Sequence, residues 1–173
     1  MVSDNDALRL RRLVFYAADI DRINAVLLAF VKKANAQSAL VIDKEGHMVA
    51  RQGFFKQDTS ALSALVSGSF ASTREVARLL GEPEFRVLFH QGQGQSIHIT
   101  LLGERTLCVT VFSSAIKAGM IQVLCKELAV QLEAILNEAA KRKPEDQEKI
   151  NEGLGKNFSD EMKNQLDALF GNL

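Results

Sequence analysis

The sequence predicts an α+β domain: a helix, two strands, a second helix, three strands and a third helix, with the strands in one antiparallel sheet and helices covering its faces. Two observations predict it. Apolar residues recur at three- and four-residue steps in three separate stretches, the mark of helices with one buried side. Five short β-prone runs lie between those stretches, grouped two and three, and connections this short join antiparallel neighbours rather than parallel ones.

The first helix starts near Asp19, carries Ile20, Ile23, Leu27, Phe30 and Val31 along one stripe, and ends near Ala36. Ala39-Leu40-Val41-Ile42 is a strand, Asp43-Lys44-Glu45-Gly46 has turn chemistry, and His47 to Arg51 returns as the second arm of a hairpin that Gly53 ends. Asp58, Thr59 and Ser60 offer N-caps for a second helix that runs to Leu80 and stops at Gly81 and Pro83. Strands follow over Phe85–Phe89, Ser96–Leu101 and Thr106–Phe112. In the middle one, Ile97, Ile99 and Leu101 alternate with Ser96, His98 and Thr100, which predicts a half-buried strand. Ile121, Leu124, Leu128, Leu132, Ile135 and Leu136 mark a long third helix ending near Lys141. From there to Lys156 the chain is polar and charged with no apolar face, and is expected to be a largely disordered linker. Ser159 then offers a cap for a short last helix bearing Met162, Leu166, Leu169 and Phe170.

The domain plan is therefore a flexible arm over 1–12, the α+β domain over 13–141, a linker over 142–158 and a terminal helix over 159–173. A length of 173 residues fits one domain with a tail. With 21 basic and 21 acidic residues, no net field draws phosphate backbones or anionic lipid, which argues against nucleic acid as a partner. No apolar run approaches the roughly 18 residues of a membrane span, and Leu13–Ala18 is too short for a signal sequence, so a soluble cytoplasmic protein is expected. Arg9, Arg11 and Arg12 read as a solvated arm. Cys108 and Cys125 sit in apolar patterns without a C-x-x-C, as buried thiols in a reducing compartment do.

No residue set predicts chemistry, so no catalytic residue, metal or cofactor is expected. Gln91-Gly92-Gln93-Gly94-Gln95 lacks the phosphate-loop pattern and joins two strands, so it reads as a hairpin turn. His47, His90 and His98 have no carboxylate or thiol at ligand spacing. No serine lies in a nucleophile elbow, and Asp43 is explained by its turn.

The second helix is more informative. Leu62, Leu65, Val66, Ser69, Thr73, Val76 and Leu80 form one stripe, whereas Ala64, Ser67, Gly68, Ala71 and Ser72 form another of small residues. A solvated helix face normally carries Lys, Glu or Gln, and small residues at these steps let another helix approach closely. A dimer or partner surface is expected there. In the tail, burying three bulky side chains stabilises by roughly 1.5–3 kcal/mol each, against roughly 1–2 kcal/mol per ordered residue. Such a segment binds weakly unless tethering raises its effective concentration, and it either docks on a partner or folds back on its own domain.

Taken in order, Leu13-Val14-Phe15-Tyr16, Ile23-Asn24-Ala25-Val26, Ala34-Asn35-Ala36, Ile42-Asp43-Lys44-Glu45-Gly46, Asp58-Thr59-Ser60, Leu79-Leu80-Gly81-Glu82, Phe85 and Phe89-His90-Gln91-Gly92 resemble the roadblock (dynein light-chain-like) domain. Within it they are similar to the MglB-type bacterial regulators of a polarity-controlling Ras-like GTPase. The resemblance covers about three quarters of the chain, and Leu166-Asp167-Ala168-Leu169-Phe170 is similar to the tail of such proteins. It implies a five-stranded antiparallel sheet with helix two on one face and helices one and three on the other. It also implies a homodimer that pairs through helix two and the third strand, continuing the sheet. Each dimer would bind one GTPase and stimulate hydrolysis by rearranging the GTPase's own residues, with the C-terminal helix tuning the interaction. The docking residues carried over are Ser67, Gly68, Ala71, Ser72, Arg74 and Glu75 from both copies, with Leu166, Leu169 and Phe170 from the tail.

One departure from the family pattern is Arg74-Glu75, where relatives keep small residues. A GTPase of complementary charge, a scaffold that binds without activating, and Arg74 acting as a finger on transition-state charge are all open readings of it. The functional classes are thus a GTPase regulator concentrated at a cell pole through its partners, a non-enzymatic scaffold for signalling or motility proteins, and a small-ligand sensor using a pocket in the sheet.

Overall fold

The computed structural model describes residues 15–56 and 58–141. The chain divides into two units, Met1–Ala140 and Lys141–Leu173, and the fold is that of the first. The expected arm over 1–12, the linker over 142–158 and the terminal helix over 159–173 lie outside the described residues, as do Leu166, Leu169 and Phe170.

The elements are α1 (Ala17–Ala34), β1 (Ser38–Asp43), β2 (Met48–Gly53), α2 (Thr59–Leu80), β3 (Val87–Gln91), β4 (Gln95–Leu102), β5 (Thr106–Ser113) and α3 (Ala118–Ala140). The five strands form one sheet in the order β2-β1-β5-β4-β3, and every neighbouring pair is antiparallel. Both hairpins fold locally, and β1 then pairs with β5 across the middle, leaving β2 and β3 as the edges. The sheet therefore has its hydrophobic faces on both sides, and each needs a helical cover.

Local chemistry sets the helix limits. The buried Asp19 carboxylate accepts a hydrogen bond from the Tyr16 backbone N–H at 3.1 Å and opens α1, and Asn35 closes it in the left-handed region at φ 49°. Asp58 caps α2 by accepting from the Ser60 N–H at 2.8 Å, and Gly81, at φ 75°, ends it.

Two cores result. On one face α1 and α3 pack Ile23, Leu27, Phe30, Ile121, Leu128 and Leu132 over Ala39, Val41, Cys108 and Phe112. On the other, Val66 and Phe70 of α2 cover Leu40, Ile42, Ile99, Leu101, Leu107 and Val109. Arg22–Glu138 and Lys33–Glu127, each at 2.6 Å, tie α1 to α3 antiparallel, though both pairs are about half exposed and such pairs contribute little.

Two sequence expectations are corrected. The third strand spans Val87–Gln91 rather than Phe85–Phe89, with the Arg86 carbonyl accepting one further backbone hydrogen bond from the Leu101 N–H at 2.8 Å before the strand proper. β4 is not half-buried. Its polar side, including Ser96 and His98, is covered as fully as Ile99 and Leu101, because α3 lies over it. The expected turn after β3 is present, with the Gly92 N–H donating to the Gln95 carbonyl at 2.9 Å.

Candidate functional site

The reactive side chains lead to structural rather than chemical roles. His47 Nδ1 lies 2.8 Å from Asp43 Oδ2, and the same carboxylate accepts from the His47 backbone N–H at 2.7 Å, so the pair closes the β1–β2 turn. Burial raises both thiols. Cys108 is held far above the usual range, its neighbour Cys125 adding to the effect, and Cys125 is pushed up to about 11 despite an opposing hydrogen bond from Thr110. Thiols held this high are poor nucleophiles at neutral pH. Among the described residues no three His, Cys, Asp or Glu side chains gather to hold a metal ion. A cavity of about 310 Å³ at the sheet end carrying the β1–β2 turn is open to solvent and lined by Phe15, Asp43, Glu45 and Arg105 among others.

His98 lies under α3 with its Nδ1 3.1 Å from Thr100 Oγ1 and its ring 6.2 Å from that of Phe89. Desolvation lowers its pKa below 6.5. The neutral ring is therefore favoured in the fold, whereas the unfolded chain accepts a proton near pH 6.5. The contribution to stability is complete above that pH and is lost as pH falls below it, until the folded ring also protonates. Urea midpoints measured from pH 8 to 5 should fall below pH 6.5 in the wild type by more than in His98→Gln, by at most about 1.4 kcal/mol per pH unit. Parallel profiles would show that His98 titrates alike in both states.

The helix α2 is where exposure and residue type disagree. Its buried side is Thr59, Ser63, Val66, Ser67, Phe70 and Ala77. Of the stripe marked by Leu62, Leu65, Val66, Ser69, Thr73, Val76 and Leu80, only Leu62, Val66 and Thr73 are buried or half-buried. Leu65 is 73% exposed, Val76 49% and Leu80 68%. Leu62 lines a cavity with Ser38, Phe54, Phe55, Gln95 and Val111, and the flank of Leu65 and Val76 is the one turned away from the β1–β2 turn that Ser67 meets. On this face Leu88 and Ile97 are only partly covered, whereas Val87, paired with Thr100, lies on the face of α1 and α3.

The opposite flank is occupied from within. Ser67 is a correction: its hydroxyl donates to the Lys44 carbonyl and it is buried against the β1–β2 turn, so it does not belong to an exposed docking surface. A Cβ on Gly46 of that turn would lie 3.2 Å from the Ala64 Cα, so the small residues Ala64 and Ser67 admit the turn. Arg74 also projects on this flank, about 140° round the helix from Leu79 at 3.6 residues per turn. Glu75 is paired with Arg78 at 2.9 Å.

Away from the sheet, α2 presents Ala61, Gly68, Ser72, Glu75 and Leu79, with Ala71 at the margin, all exposed. A Cβ on Gly68 would meet nothing within 4 Å, so no contact inside the protomer requires glycine. Mid-helix glycine costs about 0.5–1 kcal/mol relative to alanine. Of the residues the sequence suggested, Gly68, Ala71, Ser72 and Glu75 are thus brought to one exposed sector, whereas Ser67 and Arg74 are not. Leu79, at 79% exposure, lies in the same sector.

One face of the sheet is thus covered by a single helix whose lateral side leaves Leu65, Val76 and Leu80 exposed. The chain belongs to the Roadblock/LC7 domain family, whose model matches residues 22–112. Its structure is similar to that of Myxococcus xanthus MglB, with 30% identity over 75% of this chain and 98% of that one and a TM-score of 0.70. It is also similar to the gliding protein MglB of Thermus thermophilus, at 30% identity over 72% and 96% of the two chains with a TM-score of 0.66. An MglB solved in a tetrameric arrangement is 31% identical over 73% and 96%, with a TM-score of 0.69. No curated protein sequence matched. Among the described residues no helix is long and apolar enough to cross a membrane.

Proposed function

We propose that this roadblock-domain protein is a homodimeric, MglB-type regulator of a small Ras-like GTPase, stimulating GTP hydrolysis without catalytic residues of its own. The observation that carries the reading is the likeness to MglB across 98% of that chain at 30% identity. The β3 edge and the lateral side of α2 support pairing with a second copy: unpaired edge strands extend sheets, and Leu65, Val76 and Leu80 are exposed on the helix that covers the sheet face to which Leu88 and Ile97 belong. An antiparallel α2 pair centred near residue 70 sets Leu65 of one copy by Val76 of the other. Gly68, Ala71, Ser72 and Glu75 of both copies then form the GTPase surface, with Leu166, Leu169 and Phe170 of the C-terminal segment tuning binding. The setting is cytoplasmic signalling in cell polarity or motility. The Glu75–Arg78 pair on this surface favours a second reading, a scaffold that binds partners without activating a GTPase.

The test is GTP turnover by the Ras-like GTPase of the same organism at saturating concentration of this protein. Acceleration is expected, and it should return to the basal rate with Gly68→Arg. Space around Gly68 lets the protomer keep its fold, so the loss reads out the surface. Binding without acceleration would move the protein to the scaffold class, and an active Gly68→Arg variant would remove this surface from the mechanism.

A further inference from the structure

At the sheet end away from the β1–β2 turn, a loop replaces α2 as the main cover of the sheet. Val66 and Phe70 cluster with Leu40, Ile42, Ile99 and Val109. At the terminal cross-strand pair of β1 and β5, Ser38 with Val111, the cover is Leu62 together with Phe54, Phe55 and Lys56 of the segment between β2 and α2. A cleft of about 240 Å³ remains there, open to solvent. The Gln95 amide donates to the Gln37 amide oxygen at 2.6 Å on its border.

Ser38 lies deepest in this cleft. It is only 1% exposed, it stands on the face of β1 that Leu40 and Ile42 continue, and its hydroxyl has no hydrogen-bond partner among the described residues. A buried hydroxyl without a partner is unfavourable and calls for a ligand or water to complete it. The walls are apolar, and the fold leaves Phe54 71% exposed. Lys56, exposed at the rim, makes no ion pair among the described residues, and no carboxylate is among the described residues that line the cleft. Apolar walls with a few convergent polar groups are the composition of small-molecule sites.

We propose that this cleft binds a small carboxylate with an aromatic or branched aliphatic body and a hydroxyl or carbonyl group at its far end. The body lies between Phe54, Phe55 and Leu62, the carboxylate meets Lys56, and the oxygen at the other end pairs with the Ser38 hydroxyl. An apolar cavity of about 150 Å³ takes up benzene, so this larger one holds a ring with a short substituent at each end. Phe54 and Phe55 lead into the Asp58 cap and Leu62 belongs to α2, so an occupant bridges the sheet end and the start of that helix. None of the lining residues belongs to the proposed GTPase surface, and the site is independent of that reading.

The full-length protein is titrated with para-hydroxyphenylacetate, phenylacetate and tyramine, and binding is followed by proton–nitrogen correlation NMR. Saturable shifts are expected at Ser38, Phe54, Phe55, Lys56 and Val111. The hydroxylated acid should bind about two- to tenfold more tightly than phenylacetate, the range for one net hydrogen bond, and tyramine should bind more weakly than either acid. Ser38→Ala should erase the preference for the hydroxylated acid and leave phenylacetate affinity unchanged, a pattern that general loosening of the fold does not produce. Lys56→Gln should weaken both acids and not tyramine. Shifts centred elsewhere, no saturation by either acid, or tyramine bound as tightly as para-hydroxyphenylacetate would overturn the site. A hydroxyl preference retained in Ser38→Ala would overturn the pairing with Ser38.

Discussion

Phe112→Ala is expected to remove about 3–5 kcal/mol of folding stability, the range for truncating a buried phenylalanine that leaves a cavity. Phe112 is fully buried on β5, and its ring meets Phe30 of α1 edge to face at 6.3 Å and 82°. Cross-strand pairing fixes its position, with Ser96 as its partner on β4. The ring stands in the layer beneath α1 and α3, where neither helix can close the gap without giving up Leu27 or Leu128 contacts of the same cluster. Urea denaturation followed by far-UV circular dichroism measures the change. A loss below about 1 kcal/mol would mean that α1 and α3 do not pack on the sheet as described. Because α2 lies on the other face, the same variant should bind a second copy normally wherever it stays folded.

The asymmetry between the two faces explains which features were legible in the sequence. The limits of α2 were, because Asp58 and Gly81 act through local hydrogen bonds and a left-handed φ. Strand order was not, since the pairing of β1 with β5 joins residues far apart in the chain. The polar alternation of β4 suggested a solvated face because a strand's own pattern cannot reveal a helix that arrives later. Here α3 covers that face, and Thr110 satisfies the His98 carbonyl at 3.2 Å. On α2 the small residues had two meanings that sequence could not separate: Ala64 and Ser67 admit a turn of the same chain, whereas Gly68 has open space around it.

The same distinction between glycines gives opposite signs for two alanine substitutions. Gly53 ends β2 at φ +94°, a region alanine enters at a cost of about 1–3 kcal/mol. An added Cβ would also lie 2.4 Å from the Gln37 carbonyl oxygen and 2.6 Å from the Ser38 Cα, both backbone atoms at the start of β1. That carbonyl accepts the Phe54 N–H at 2.9 Å, and the Gln37 N–H donates to Val111 at 2.9 Å, so displacing it disturbs β2, β1 and β5 together. With about 1 kcal/mol for each hydrogen bond weakened, Gly53→Ala should destabilise the domain by roughly 3 kcal/mol or more. The shift would also move Phe54 and Phe55, which precede the Asp58 cap, so the start of α2 should exchange its amide protons faster. Gly68→Ala, in contrast, should raise stability by about 0.5–1 kcal/mol, since it adds helix propensity without a clash. If glycine at position 68 exists to admit a partner, that gain in the isolated protein should be accompanied by weaker GTPase binding. A variant that gained stability and kept full binding would show that the partner does not approach α2 at Gly68.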